Sequence, residues 1–284
     1  MTWVITHDVD EFHGAARGYL AEDPARSTVL LTVAELVRQR GPFAYGGGTP
    51  ARFGWWRPAE GGAVAGAFVH TPPYRPILGP MPEQAARALA LKWRSSGAEV
   101  SGVTGAVATV RALAQEWCTG HGQWSVSRGQ RLFRLGELTP PQPAPPGVAV
   151  PAEAEDVPLV TRWFARFAED IGDAKRPDMS HLVARRVETG QIVLWKLDGV
   201  PVSMAGFSAV VAGQSRVAPV YTPAELRGRG YAGAATSAAS EAARAAGAAQ
   251  VVLFTDLANP TSNALYQRLG YRPLEDFQVL DFSG

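Results

Sequence analysis

Cysteine is almost missing: Cys118 is the only one in 284 residues, so the chain can form no disulfide within itself and is compatible with a reducing compartment. A lone thiol can be read as a nucleophile, but a small residue closing a helix is the plainer reading and is preferred. Lysine is scarce too, so nearly all positive charge is arginine, as biased base composition would produce. A formal net charge of +1 with 19% charged residues leaves no basic excess for nucleic acid or an anionic membrane. No apolar run approaches the roughly 20 residues that cross a bilayer. The first residues turn acidic at Asp8, Asp10 and Glu11 where a secretory signal would be apolar. The expectation is a soluble, cytoplasmic protein. His7, His13, His70, His121 and His181 are too scattered for a zinc set, so no metal is expected.

What is present is an ordinary globular composition, 46% hydrophobic and rich in Ala, Gly and Pro, long enough for one large domain or two average ones. Residues 139–147 hold five prolines (Pro140, Pro141, Pro143, Pro145, Pro146), which forbid helix and central strand and favour an extended spacer. That spacer divides a first domain, 1–138, from a second, 148–284. Before it, apolar periodicity predicts two helices within residues 12–40 and strands at 51–57 and 62–70. A helix follows from Glu83 to Trp93, then a strand near 100–103 and a helix from 107 to 118, with strands near 124–126 and 131–135. After it the order begins again: a strand at 148–150, helices at 157–171 and 180–188, strands at 191–197 and 201–211 joined through Asp198-Gly199, and a strand at 215–222. Pro219 falls inside that last strand and cannot donate to a ladder, which predicts a bulge or an unpaired edge. Val69-His70-Thr71-Pro72 and Val220-Tyr221-Thr222-Pro223 each end an apolar strand. With the repeated element order they suggest a duplicated domain. Most of Trp55, Trp56, Trp93 and Trp124 are expected to be packed core.

The stretch Arg227-Gly228-Arg229-Gly230-Tyr231-Ala232-Gly233 leaves a strand through a glycine-broken turn and enters an alanine-rich helix. Gly228 and Gly230 let backbone N–H groups approach a ligand, and the helix start adds unpaired N–H groups and the positive end of its dipole. An anion suits such a place, and arginine can grip phosphate oxygens in a bidentate way. The third glycine and later acid of a dinucleotide fingerprint are missing, as is the Gly-Lys-Ser/Thr of a P-loop. Arg227-x-x-Gly230-x-Ala232 resembles the acetyl-CoA signature of the GCN5-related N-acetyltransferases (GNAT). The later run from Val251, a buried strand ending in Asn259, a short helix carrying Tyr266 seven residues later and Leu269-Gly270-Tyr271, is similar to a second motif of that family at the family's separation.

The resemblance implies an α/β fold with a mixed (α+β) sheet, arranged as two tandem GNAT-like acyl-CoA N-acyltransferase domains, the first a degenerate copy without the phosphate cradle. It implies acetyl-CoA as cosubstrate, held by residues 227–233, by strand-edge groups at Val220, Tyr221 and Thr222, and by Asn259, which can also cap a helix before Pro260. It implies splaying of the strand at 215–222 from its neighbour. Tyr266 would be the general acid that returns a proton to the departing thiolate. Asp256 is the candidate base, with Glu225, Glu169, Asp170 and His181 as alternatives and ordered water as another route. The expected partner is a small-molecule or peptide amine, with a homodimer left open and no nucleic acid or membrane. Two other readings stand beside the transferase: an acyl-CoA-binding sensor that no longer turns over, and a different nucleotide enzyme using the same turn.

Overall fold

The computed structural model describes residues 2–46, 48–120, 122–172 and 180–283. The chain divides into two compact units, the first taking the described residues of Met1–Leu132, Asp256–Ala258 and Leu274–Gly284, the second Phe133–Thr255 and Asn259–Pro273.

In the first unit the order is β1 (Thr2–Thr6), α1 (Val9–Glu22), α2 (Thr28–Arg40), β2 (Arg52–Arg57), β3 (Gly66–His70), β4 (Ile77–Leu78), α3 (Glu83–Ser95), β5 (Gly102–Ala106), α4 (Val107–Trp117) and most of β6 (Gln123–Leu135). α1 starts where Asp8 accepts from the Asp10 and Glu11 amides at 2.8 and 3.2 Å, filling donors that a helix start leaves open. β1 through β4 pair antiparallel in sequence order and β4 meets β5 in parallel. β5 takes its other partner from the far end of the chain, with Phe277 opposite Ala106 and Asp281 opposite Gly102. Leu280 of that last strand is fully buried with Trp56, Phe68, Leu89 and Trp93, and Trp124 packs beside them. Trp55, Trp56 and Trp93 are core, as expected, while Trp124 is half-buried.

In the second unit the order is β7 (Val148–Pro151), α5 (Val157–Asp170), α6 (Ser180–Glu188), β8 (Ile192–Leu197), β9 (Val200–Phe207), β10 (Gln214–Tyr221), α7 (Tyr231–Ala245), β11 (Gln250–Asp256), α8 (Pro260–Arg268) and the start of β12 (Tyr271–Ser283). β7 to β10 pair antiparallel in order, and β10 pairs with β11 in parallel. α7 exposes little: Ala235, Ala239 and Ala243 lie at a helical period and pack with Val217, Val251, Leu253 and Tyr271. The Pro-rich stretch lies along this unit, with the Trp195 indole donating to the Pro146 carbonyl at 3.0 Å.

Three expectations change. The strands predicted near 124–126 and 131–135 are one, β6, because Gly129 is a ladder residue rather than a break: its carbonyl accepts from the Leu257 amide at 2.9 Å, and a Cβ there would come within 3.1 Å of Leu257. β1, β4 and β12 are additional: β1 and β12 have partners far off in sequence and so carry little local signal, and β4 is two residues set among prolines. The match of Val69-His70-Thr71-Pro72 to Val220-Tyr221-Thr222-Pro223 is also corrected. Counted by element, β3 corresponds to β9, and the partner of β10 is the two-residue β4.

That correspondence explains the degeneracy of the first copy. Where the second unit has its glycine turn, the first has Gly79-Pro80-Met81-Pro82 leading into α3. Two of these residues have no N–H at all, and the Gly79 amide is spent on the Ala67 carbonyl at 2.9 Å. Tyr19 donates to the Pro80 carbonyl. In the place of Asn259, capping α8, the first unit has Ala106 capping α4, and in the place of Tyr266 it has the fully buried Leu113.

Candidate functional site

The site is assembled from the inside of the second unit's sheet outward. β10 follows β11 only from Gln214 to Arg216, opposite Gln250 to Val252, yet β10 runs on to Tyr221 and β11 to Asp256. Beyond Arg216 the two strands part, as the resemblance implied. On the other side the β9–β10 register shifts between Val217, opposite Phe207, and Val220, opposite Ala205, so β10 carries one more residue than its partner. This is the bulge announced by Pro219. Past it the strand is fastened again, Ser203 donating to the Tyr221 carbonyl at 3.1 Å and sharing a 2.8 Å bond with the Thr222 hydroxyl. The Thr222 N–H has no acceptor among the described residues.

The glycine turn follows. Gly228 and Gly230 have φ of 79° and 83°, and Gly230 is the left-handed N-cap of α7. The amides of Gly228, Arg229, Gly230, Tyr231 and Ala232 have no acceptor among the described residues, the first helical bonds being those of Gly233 and Ala234 to the Gly230 carbonyl. A run of donors at the positive end of a 15-residue helix is the kind of place that suits an anion. A Cβ on Gly228 would meet nothing within 4 Å, whereas one on Gly233 would come 3.0 Å from Leu265, so Gly228 keeps the turn open and Gly233 packs α7 on α8.

Arg227 does more than add charge. Its Nε donates to the Thr222 carbonyl at 3.0 Å, its Nη2 meets Asp170 at 2.5 Å, and the guanidinium lies 6.0 Å from the Tyr221 ring centre. Asp170, read in the sequence as a possible base, is therefore an ion-pair partner. Burial raises the pKa of the Tyr221 hydroxyl, and Asp170 raises it further. Among the described residues Arg229 reaches only the Glu225 carbonyl, at 3.4 Å. Glu169 pairs with Arg166 at 3.1 Å, and His181 is exposed in the first turn of α6.

The second motif folds as a strand, a cap and a short helix. Asp256 closes β11 and accepts from the Ala258 amide at 2.7 Å; it groups with the first unit. Asn259 caps α8 by accepting from the Ser262 amide at 3.0 Å, with Pro260 at the first helical position. Tyr266 is 8% exposed, its ring edge-on to Tyr271 at 6.1 Å, and burial pushes its pKa up to about 12. Its hydroxyl has no hydrogen-bond partner among the described residues, while that of Tyr271 bonds Ser240 at 2.7 Å. Gly270 is required twice over: its φ is +96°, and a Cβ would lie 1.8 Å from the Glu137 carbonyl oxygen. Reading the sequence missed Ser203, the Asp170–Arg227 pair and Arg186, whose contacts all bridge separate elements.

Residues 157–271 match the model of the acetyltransferase (GNAT) family. Over those residues the chain is similar to that family. No curated protein matches it. Solved structures with the same fold include a GNAT-family acetyltransferase from Colwellia psychrerythraea at 12% identity and a TM-score of 0.62, with 99% of each chain covered. A tandem GNAT protein from the clavulanic acid biosynthesis pathway aligns at 12% identity and a TM-score of 0.54, over 99% of this chain and 98% of that one. A GCN5-related N-acetyltransferase from Kribbella flavida is 22% identical at a TM-score of 0.54, over 78% and 89%. The fold is thus two tandem GNAT-like domains in a mixed α/β arrangement. His121 lies outside the described residues, and among those described no three His, Cys, Asp or Glu side chains cluster as a metal site. No helix among them is long and apolar enough to cross a membrane.

Proposed function

We propose that the second unit transfers the acetyl group of acetyl-CoA to a primary amine by direct attack within a ternary complex. The observation that carries this reading is the run of acceptor-free amides from Gly228 to Ala232 at the start of α7. Those amides, with Arg227 and Arg229, fit a diphosphate: donors and positive charge converge where no side chain intrudes. Acetyl-CoA, when bound, supplies an acyl group already activated as a thioester. The edge groups of Val220, Tyr221 and Thr222 hold the pantetheine arm and the thioester carbonyl, a contact that strengthens as negative charge develops on that oxygen. Asn259 offers its side-chain amide N–H while its oxygen stays on the Ser262 cap. Tyr266, neutral because burial lifts its pKa to about 12, keeps a proton on Oη for the leaving thiolate. Asp256 accepts the proton of the attacking amine.

Thermal unfolding with acetyl-CoA, NAD and ATP tests the cradle. Acetyl-CoA at a hundredfold excess over its dissociation constant should add about 2.7 kcal/mol. NAD and ATP should add far less, and the Arg227→Glu/Gly230→Asp double variant should lose the effect. No stabilisation by acetyl-CoA overturns the reading. An amine screen that follows thiol release then separates turnover from binding alone.

A further inference from the structure

The bulge in β10 is held by a side chain from another element. Arg186, in the last turn of α6, donates from Nη2 to the Phe207 carbonyl at 2.7 Å and to the Ala218 carbonyl at 2.7 Å. One guanidinium nitrogen has two hydrogens, so each carbonyl takes one. These carbonyls flank the register shift: Phe207 is in step with Val217, and Ala218 is where β10 begins to gain its extra residue. Pro219 follows and has no N–H to return the chain to the ladder. The Phe164 ring lies 5.5 Å from the same guanidinium, and Gly206 leaves it room, since a Cβ there would come 3.0 Å from Nη2 and 3.1 Å from the Ala218 oxygen. Serines tie down both flanks. Ser208 accepts from the Arg216 amide at 3.0 Å before the bulge, and Ser203 holds Tyr221 after it.

We propose that Arg186 is a positioning residue for the acyl-pantetheine arm. By donating to two carbonyls on either side of the register shift, it keeps the bulge in place and the stretch from Pro219 to Thr222 turned away from β11, so that this edge stays open to a ligand. The bonds are charge-assisted and therefore stronger than neutral ladder bonds. Arg186 touches no reacting atom; it acts through the strand. The inference rests on the acetyl-CoA reading, and it separates two parts of that ligand: the glycine turn that follows β10 holds the diphosphate, while the bulge presents the edge for the arm.

The test compares acetyl-CoA with adenosine 3′-phosphate 5′-diphosphate, which carries the diphosphate but not the arm, on the full chain and its Arg186→Met and Arg186→Lys variants. Calorimetry gives affinity and hydrogen exchange follows the β10 amides. In Arg186→Met the acetyl-CoA dissociation constant should rise about tenfold or more, as loss of charged hydrogen bonds predicts, with nucleotide affinity unchanged and exchange faster from Val217 to Tyr221. Arg186→Lys, which keeps a charged donor, should recover part of both. Equal weakening of the two ligands, or no weakening and unchanged exchange, overturns the proposal. Should the parent chain bind the nucleotide but gain nothing from the arm, the positioning role falls while the cradle stands; should it bind neither ligand, the acetyl-CoA reading falls and takes the positioning role with it.

Discussion

Tyr266 and Tyr271 share one core, their ring centres 6.1 Å apart, but only Tyr271 spends its hydroxyl on a protein partner. Their substitutions should therefore separate. Tyr266→Phe removes a hydroxyl with no bond to lose, so unfolding free energy should stay within about 0.5 kcal/mol of the parent. The rate constant for acetyl transfer should fall by about 10²–10⁴, the usual worth of a placed general acid. Tyr271→Phe should do the opposite, costing about 1–2 kcal/mol through the orphaned Ser240 and leaving turnover intact. Burial also raises the pKa of Tyr266 and Tyr19 to about 12, above their usual 10. Between those values the unfolded chain has released protons that the folded one keeps, so stability present below pH 10 is lost as pH rises towards 12. Chemical denaturation across that window should show the fall, shallower in Tyr266→Phe. Asp170 is a third case at this scale. Its pair with Arg227 is about half exposed and worth little to the fold, about 0–1 kcal/mol. Asp170→Asn should leave stability and turnover near parent values, whereas a collapse of turnover would make it the base after all.

Among the elements, α7 depends most on a single backbone conformation. Gly230 begins it at a φ of +83°, where a Cβ is strained by about 1–2 kcal/mol. Gly230→Ala should lower the melting temperature and also weaken acetyl-CoA binding, because relief of that strain turns the donor amides away from one another. Asn259→Ala should cost about 1 kcal/mol through the lost α8 cap. These signals were legible because they are local: a glycine needing positive φ, a cap before a proline, a proline interrupting a strand. The bulge was announced by Pro219, but its brace was not. Arg186 lies on α6 while the carbonyls it meets belong to β9 and β10, and no spacing in the sequence encodes that meeting.

At the scale of the whole molecule, the last strand is decisive for the first unit. Residues 277–281 pair with Gly102–Ala106, Leu280 is fully buried, and Phe282 stacks on Trp117 at 5.9 Å. A fragment of residues 1–138 should therefore remain unfolded or soluble only as a loose, protease-sensitive form, and a peptide of residues 274–284 should restore protection when added. A fragment that folds without the peptide would overturn that expectation. The sequence by itself determined the two rounds of helix and strand, the glycine turn, the caps and the loss of the cradle from the first round, since each follows from residue type and short-range spacing. It could not decide that β4 rather than β3 corresponds to β10, that Asp170 serves Arg227, or that the chain's end completes the sheet of its beginning. Strand partners and ion pairs form between residues far apart in the chain, and only the packing of the folded backbone selects which of them meet.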